Sequence, residues 1–171
     1  MGKYEALISK YNHLTIIETD TLPSFQSGMY YNNEIYINSN RSNAVKLETL
    51  AEELAHHKLT YGNITDQTQF INRKFEGYAR RYAMEQIVSL QGIIDAFRHN
   101  CHNLYEMANF FEVSESFVQQ CIEHYKVRYG LSTLHNGYLI QLEPLRVFEY
   151  KMLYLLDKGD EYIWNQTKNL G

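Results

Sequence analysis

Two stretches of this chain repeat apolar residues at helical spacing, and they constrain the fold more than anything else in it. Over residues 43–60, Val45, Leu47, Leu50, Ala51 and Leu54 supply one apolar face. Ser42 is placed to cap the start, and Gly62 with Asn63 to stop the end. Over residues 67–90, Phe70, Ile71, Phe75, Ala79, Tyr82, Ala83 and Ile87 recur with the same period. Two consecutive amphipathic helices of this length must bury their faces, and the second is expected to pack on the first.

Shorter elements surround the pair. Residues 3–11 read as a short helix, and Leu14 to Glu18 as a β-branched strand. Residues 28–38 place two aromatic or β-branched segments around Asn32-Asn33, and Asn tolerates the left-handed backbone of a tight hairpin. A helix around 92–99 precedes a helix and turn over 103–114. Ser114 then caps a helix with Phe117, Val118, Cys121, Ile122 and Tyr125 on one side. Strands over 131–135 and 138–142 meet at Asn136-Gly137, the preferred two-residue hairpin turn. Helix-turn-helix followed by a hairpin is the outline of a winged helix. A last helix is expected over about 143–157, with Pro144 in its first turn. With only two prolines in 171 residues, no flexible linker shows. The expected division is a core over 1–91 and a helix-turn-helix-like and helical region over 92–171, packed on it.

The chemistry concentrates in Thr49-Leu-Ala-Glu-Glu-Leu-Ala-His-His57. Positions four apart share a helix face, so Glu52 and His56 can hold one metal ion between them, with Glu53 one step round. This is the geometry of the zincin motif H-E-x-x-H, in which two ligands sit one turn apart and the Glu is the general base. Glu52 stands where that motif has its first His. A carboxylate oxygen is an acceptable zinc ligand, at the cost of added negative charge at the metal. Spacing alone fits equally a solvated acidic helix face with two chance histidines. The other i, i+4 pair, Glu53 with His57, puts Leu54 at the base position and leaves no catalyst. A hydrolytic zinc site commonly has three protein ligands and one open position. Glu76, near Gly77, Ala79 and Ala83 in the second helix, is the best candidate for the third, although a pair with Arg80 competes.

Several of these segments, taken in order, resemble the ImmA/IrrE metallopeptidases, in particular the branch found in phages and mobile elements. Gly28-Met-Tyr-Tyr with Ile35-Tyr-Ile-Asn38 is similar to the hairpin before that family's active helix. Leu50–His57 is similar to its metal helix, with Glu for the first His. Asn72-Arg-Lys, Glu76, Ala79-Arg-Arg and Ala83 resemble the E-x-x-A helix, and 92–129 the helix-turn-helix-like tail. The resemblance implies an α+β, mainly helical fold with a zincin-like core, a small β-hairpin or sheet and a winged C-terminal region. It further implies a zinc-dependent peptidase that cleaves a protein partner, a helix-turn-helix repressor of a mobile element. Carried over by position, Glu52, His56 and Glu76 are the metal ligands and Glu53 the base.

In that scheme the hairpin offers an edge strand to an extended substrate, with Tyr36 and Asn38 as substrate-binding positions. His57 is expected to pack. The competing reading is a non-catalytic regulator that binds repressor or DNA through the helix-turn-helix-like region. Charge argues against DNA: the formal net charge is -4, and Glu115 and Glu123 outweigh Lys126 on the second helix of that unit. Cys101 and Cys121 form no disulfide framework and read as buried thiols of a reducing cytoplasm. No apolar run reaches the roughly 20 residues of a membrane span, and the first residues lack a signal-peptide core.

Overall fold

The computed structural model describes residues 1–60 and 69–150. Their order is α1 (Lys3–Lys10), β1 (Thr15–Thr19), β2 (Gly28–Tyr31), β3 (Glu34–Asn38), α2 (Asn43–Thr60) and α3 (Gln69–Ile87), followed by α4 (Leu90–Arg98), α5 (Leu104–Phe111), α6 (Glu115–Tyr129), β4 (Ser132–His135), β5 (Tyr138–Leu142) and β6 (Leu145–Glu149). The protein is α+β, with two separate three-stranded sheets. The Gly62-Asn63 stop signal and the expected helix beyond residue 150 lie outside the described residues.

The first sheet has the order β1-β3-β2. Asn32 and Asn33 take φ of 54° and 64°, and two consecutive left-handed residues match the twist of a hairpin. Tyr31 opposite Glu34 closes that turn, and β1 then lies parallel to β3 on the other side. Alternation along β3 sends Ile35 and Ile37 into the core, at 1 % and 0 % exposure. The sheet packs on α2 through β2 and β3.

Helix α2 packs most extensively on α3. Leu47, Leu50, Ala51, Leu54 and Ala55 are buried on α2, and Ala79 and Ala83 on α3. Small side chains at a helix contact let the axes approach closely. Gly77 has no part in this, since a Cβ there would meet only the end of the Arg81 side chain. Val45 also leaves the expected core face, for it lines the cleft described below.

Serine and asparagine caps set the remaining boundaries. The Ser89 side chain accepts from Gly92 N, Asn103 from Glu106 N and Ser114 from Phe117 N. The long helix ends with its apolar period at Ile87, short of the expected residue 90, because Ser89, which caps α4, cannot also continue α3. Phe117, Val118, Cys121, Ile122 and Tyr125 are buried on α6 as their spacing predicts, while Cys101 is only half-buried. Asn136 and Gly137, both at positive φ, join β4 to β5.

The segment after Pro144 departs from expectation. Residues 145–149 form strand β6, antiparallel to β5, and not the start of a helix. Leu145 and Val147 are half-buried while Arg146 between them is exposed, a period of two that a helix cannot satisfy. One hydrophobic cluster runs through all of this, from Tyr4 through Ile37, Leu50, Met84 and Phe111 to Leu142.

Candidate metal centre

Helix α2 carries Glu52 and His56 one turn apart, and α3 brings Glu76 beside them. One ligand atom from each of the three lies within 4.8 Å of the other two. His56 Nε2 is 3.3 Å from Glu76 Oε2. Two zinc ligands at tetrahedral positions, each at ordinary bond length, lie about 3.4 Å apart. The donor set, two carboxylates and an imidazole, therefore fits a shared divalent cation in both chemistry and spacing. Arg80 does not take Glu76 as its partner; its guanidinium donates to Gln120 Oε1 on α6.

The electrostatics point the same way. Burial pushes the Glu52 carboxyl above the usual range, opposed by Arg80 and His56 and reinforced by the charges of Glu76 and Glu48. Burial also pushes Glu53 up to about 7, helped by the charges of Glu52 and Glu76. A backbone hydrogen bond from Tyr30 on β2 pulls Glu53 the other way. Two half-buried carboxylates and the exposed Glu76 gathered in this manner repel one another, and a cation among them relieves the repulsion.

Strand β2 stands close over α2. A Cβ on Gly28 would lie 2.4 Å from Thr49 Cγ2 and 3.0 Å from the Tyr36 carbonyl, so only glycine fits. Tyr31 and Glu34, flanking the two-residue turn, form a hydrogen-bonded pair. By alternation, Gly28 and Tyr30 point their backbone groups away from β3. The Asn38 N–H donates to Ser27 O at 2.8 Å, in the same register. Edge strand β2 thus faces the carboxylates across a cleft of 810 Å³.

Tyr36 and Asn38 are not brought to this cleft. Both sit on β3, the central strand, whose two backbone edges are already paired. The Tyr36 hydroxyl donates to Glu34 Oε2 at 2.5 Å. Asn38 is buried, with its amide donating to Gln26 O and its side-chain oxygen accepting from Asn40 N. His57 turns toward Tyr30, with Nδ1 3.0 Å from that hydroxyl and the two rings edge-on at 5.4 Å.

Sequence reasoning missed the contribution of α6. Glu48, one turn before Glu52, accepts the Ser114 N–H at 2.6 Å. Phe117 of the same α6 turn, with Arg80 of α3, lines the cleft. Spacing within α2 gives no sign of a partner 66 positions away.

No curated protein and no solved structure matches the chain. Residues 11–123 match the family model described as the IrrE N-terminal-like domain, Peptidase M78. The matched region is more than half of the chain and contains β1–β3, α2 and α3, so the protein belongs to the Peptidase M78 family, a family of metallopeptidases.

Proposed function

We propose that this protein is a zinc-dependent endopeptidase that cleaves a protein partner, a helix-turn-helix repressor of a phage or mobile element. The observation that carries the peptidase reading is the convergence of Glu52, His56 and Glu76 beside a half-buried Glu53. Its family supports the reaction class. The repressor substrate rests on the resemblance described from the sequence. In this reading β1–β3, α2 and α3 form a zincin-like core over residues 1–91, and α5 and α6 with β4–β6 form a winged region within 92–171. The absence of any helix long and apolar enough to cross a membrane, among the described residues, fits action in the cytoplasm.

Glu52, His56 and Glu76 would hold the ion. Bound there, zinc lowers the pKa of water and polarises a peptide carbonyl. Glu53 is the general base: it takes the proton of the attacking water and returns it to the departing nitrogen. Its carboxyl is poised near neutrality without a cation, and a nearby positive charge draws it down toward the ionised form a base requires. The outward Gly28 N–H and Tyr30 carbonyl offer pairing to an extended substrate, while the Tyr30 N–H is held by Glu53 and the Gly28 carbonyl accepts from Gln26 Nε2.

The regulator reading draws on the α5–α6 outline and the sheet that follows it. The first turn of α6, however, is tied to α2 through Glu48. Zinc-loaded wild type and Glu53→Gln, incubated with casein and with a repressor encoded beside the gene, test the reading. Gln keeps the shape and removes the base, so cleavage should fall by about 10²–10⁴-fold while zinc is retained. Intact substrates with the wild type, or equal rates for both, would remove the peptidase reading.

A further inference from the structure

The cleft is lined by both polar and apolar side chains. Glu52, Glu53, His56 and Glu76 are among the polar ones. Phe25, Met29, Val45 and Phe117 also line it, and they come from four places: the loop before β2, β2 itself, the start of α2, and α6. Phe25 is 85 % exposed. One exposed Phe alone means little. Here it shares a cleft with three further apolar side chains and with the outward backbone of an edge strand.

Phe117 reaches this place because α6 is fastened there. Ser114 N–H is held by Glu48, Gln120 takes the Arg80 guanidinium, and Glu85 on α3 binds both His124 and Arg128. Three successive turns of α6 are thus bonded to α2 and α3. Nothing in a winged outline requires this, since a helix that reads DNA keeps its first turn open.

We infer that Phe117 and Phe25 are specificity-determining residues, and that the cleft selects an extended segment with a bulky apolar side chain beside the bond to be cut. This deepens the peptidase reading and rests on it. Desolvation sharpens the selection. An acidic side chain at the same position would lose its hydration among Phe25, Met29, Val45 and Phe117 without gaining apolar contact. The helix after the turn serves as a wall of the substrate site.

The test is binding, measured on the full chain carrying Glu53→Gln in the presence of zinc. Four fluorescein-labelled peptides share flanks of Ser, Thr and Gln and differ only in a central Phe, Leu, Ala or Glu. Fluorescence anisotropy should show Phe and Leu peptides binding about tenfold tighter than Ala, with Glu weakest. Adding Phe25→Ala or Phe117→Ala should reduce the Phe-to-Ala ratio severalfold. Phe117 is largely buried, so Phe117→Leu, checked by circular dichroism, covers the case in which alanine unfolds the chain. Exposed Phe25 carries no such risk. Equal binding of all four peptides, no detectable binding, or an unchanged ratio in every folded variant overturns the assignment. Cleavage of casein alongside any of those results leaves the peptidase reading standing. Selective binding by a chain that cleaves nothing sinks that reading and keeps the apolar selection.

Discussion

Glu48 Oε1 accepts the Ser114 backbone N–H at 2.6 Å, and this bond joins the cap of α6 to the helix that bears Glu52, Glu53 and His56. In a helix that enters the major groove, the first turn is the part that reaches base edges. Here that turn is occupied, Phe117 faces the cleft, and exposed Glu115 adds charge of the wrong sign. The chain alone should therefore show no tight binding to duplex DNA in an anisotropy titration with operator sequence at low and moderate salt. Tight, salt-sensitive binding would reverse this conclusion; binding only when the repressor is added fits docking on the repressor.

Metal content tests the three-ligand centre directly. Wild type, purified and dialysed, should hold about one zinc per chain, the stoichiometry of a single such site. His56→Ala and Glu76→Ala should each weaken zinc by at least about tenfold, since even indirect disturbance of a metal site has that effect. Zinc at about a hundred times its dissociation constant should stabilise the wild type by about 2.7 kcal/mol, read as a rise in melting temperature. Both variants should lose most of that rise. Full metal content in both means that the ligands lie elsewhere.

Gly28 gives a test of how the cleft is built. A Cβ there meets the Thr49 methyl at 2.4 Å, so Gly28→Ala must push β2 away from α2. The expected cost is about 1–3 kcal/mol, as for other overpacked sites. Thr49→Ser removes the offending methyl and should recover part of the loss when combined with Gly28→Ala. Strict additivity of the two changes in denaturant titrations would show that the contact does not govern the strand position.

A pH dependence follows from Glu85. Burial alone would raise its carboxyl, but hydrogen bonds from His124, at 2.8 Å, and from Arg128 outweigh burial and hold it below the usual range. A carboxyl lowered by folding stabilises the fold above its unfolded pKa of about 4.3, and the contribution is lost as the pH falls through the lower folded value. Wild type should therefore be more stable than Glu85→Gln near neutrality, and the gap should close in acid. A gap that persists or widens into strong acid, once the lowered folded pKa has been passed, assigns Glu85 a role other than this charge pairing.

Much of the architecture is legible in local chemistry. Asn32-Asn33 and Asn136-Gly137 turn where their left-handed tolerance predicts, and Ser42 and Ser114 cap where a polar side chain precedes an apolar period. The i, i+4 spacing puts Glu52 and His56 on one face, and the packing of α2 on α3 adds Glu76. What failed was whatever depends on a distant partner. Leu145, Val147 and Phe148 read as either helix or strand until β5 lies beside them. That Tyr36 and Asn38 lie on a central strand, paired by β1 on one side and β2 on the other, is likewise not visible in the hairpin pattern. Glu48, Arg80 and Phe117 acquire meaning only once α6 is docked.

The gap between α2 and α3 is gauged in methyl groups. Ala55, Ala79 and Ala83 are buried to 1 % exposure or less, and the ligand atoms of His56 and Glu76 ride on the same two helices. A larger residue in that seam acts as a shim. Ala79→Val adds two carbons at a fully buried position, and added volume in a packed seam is taken up by moving one helix away from the other. The metal would feel the change although no ligand had been altered. Affinity for the ion can thus be tuned from positions that never touch it, one carbon at a time.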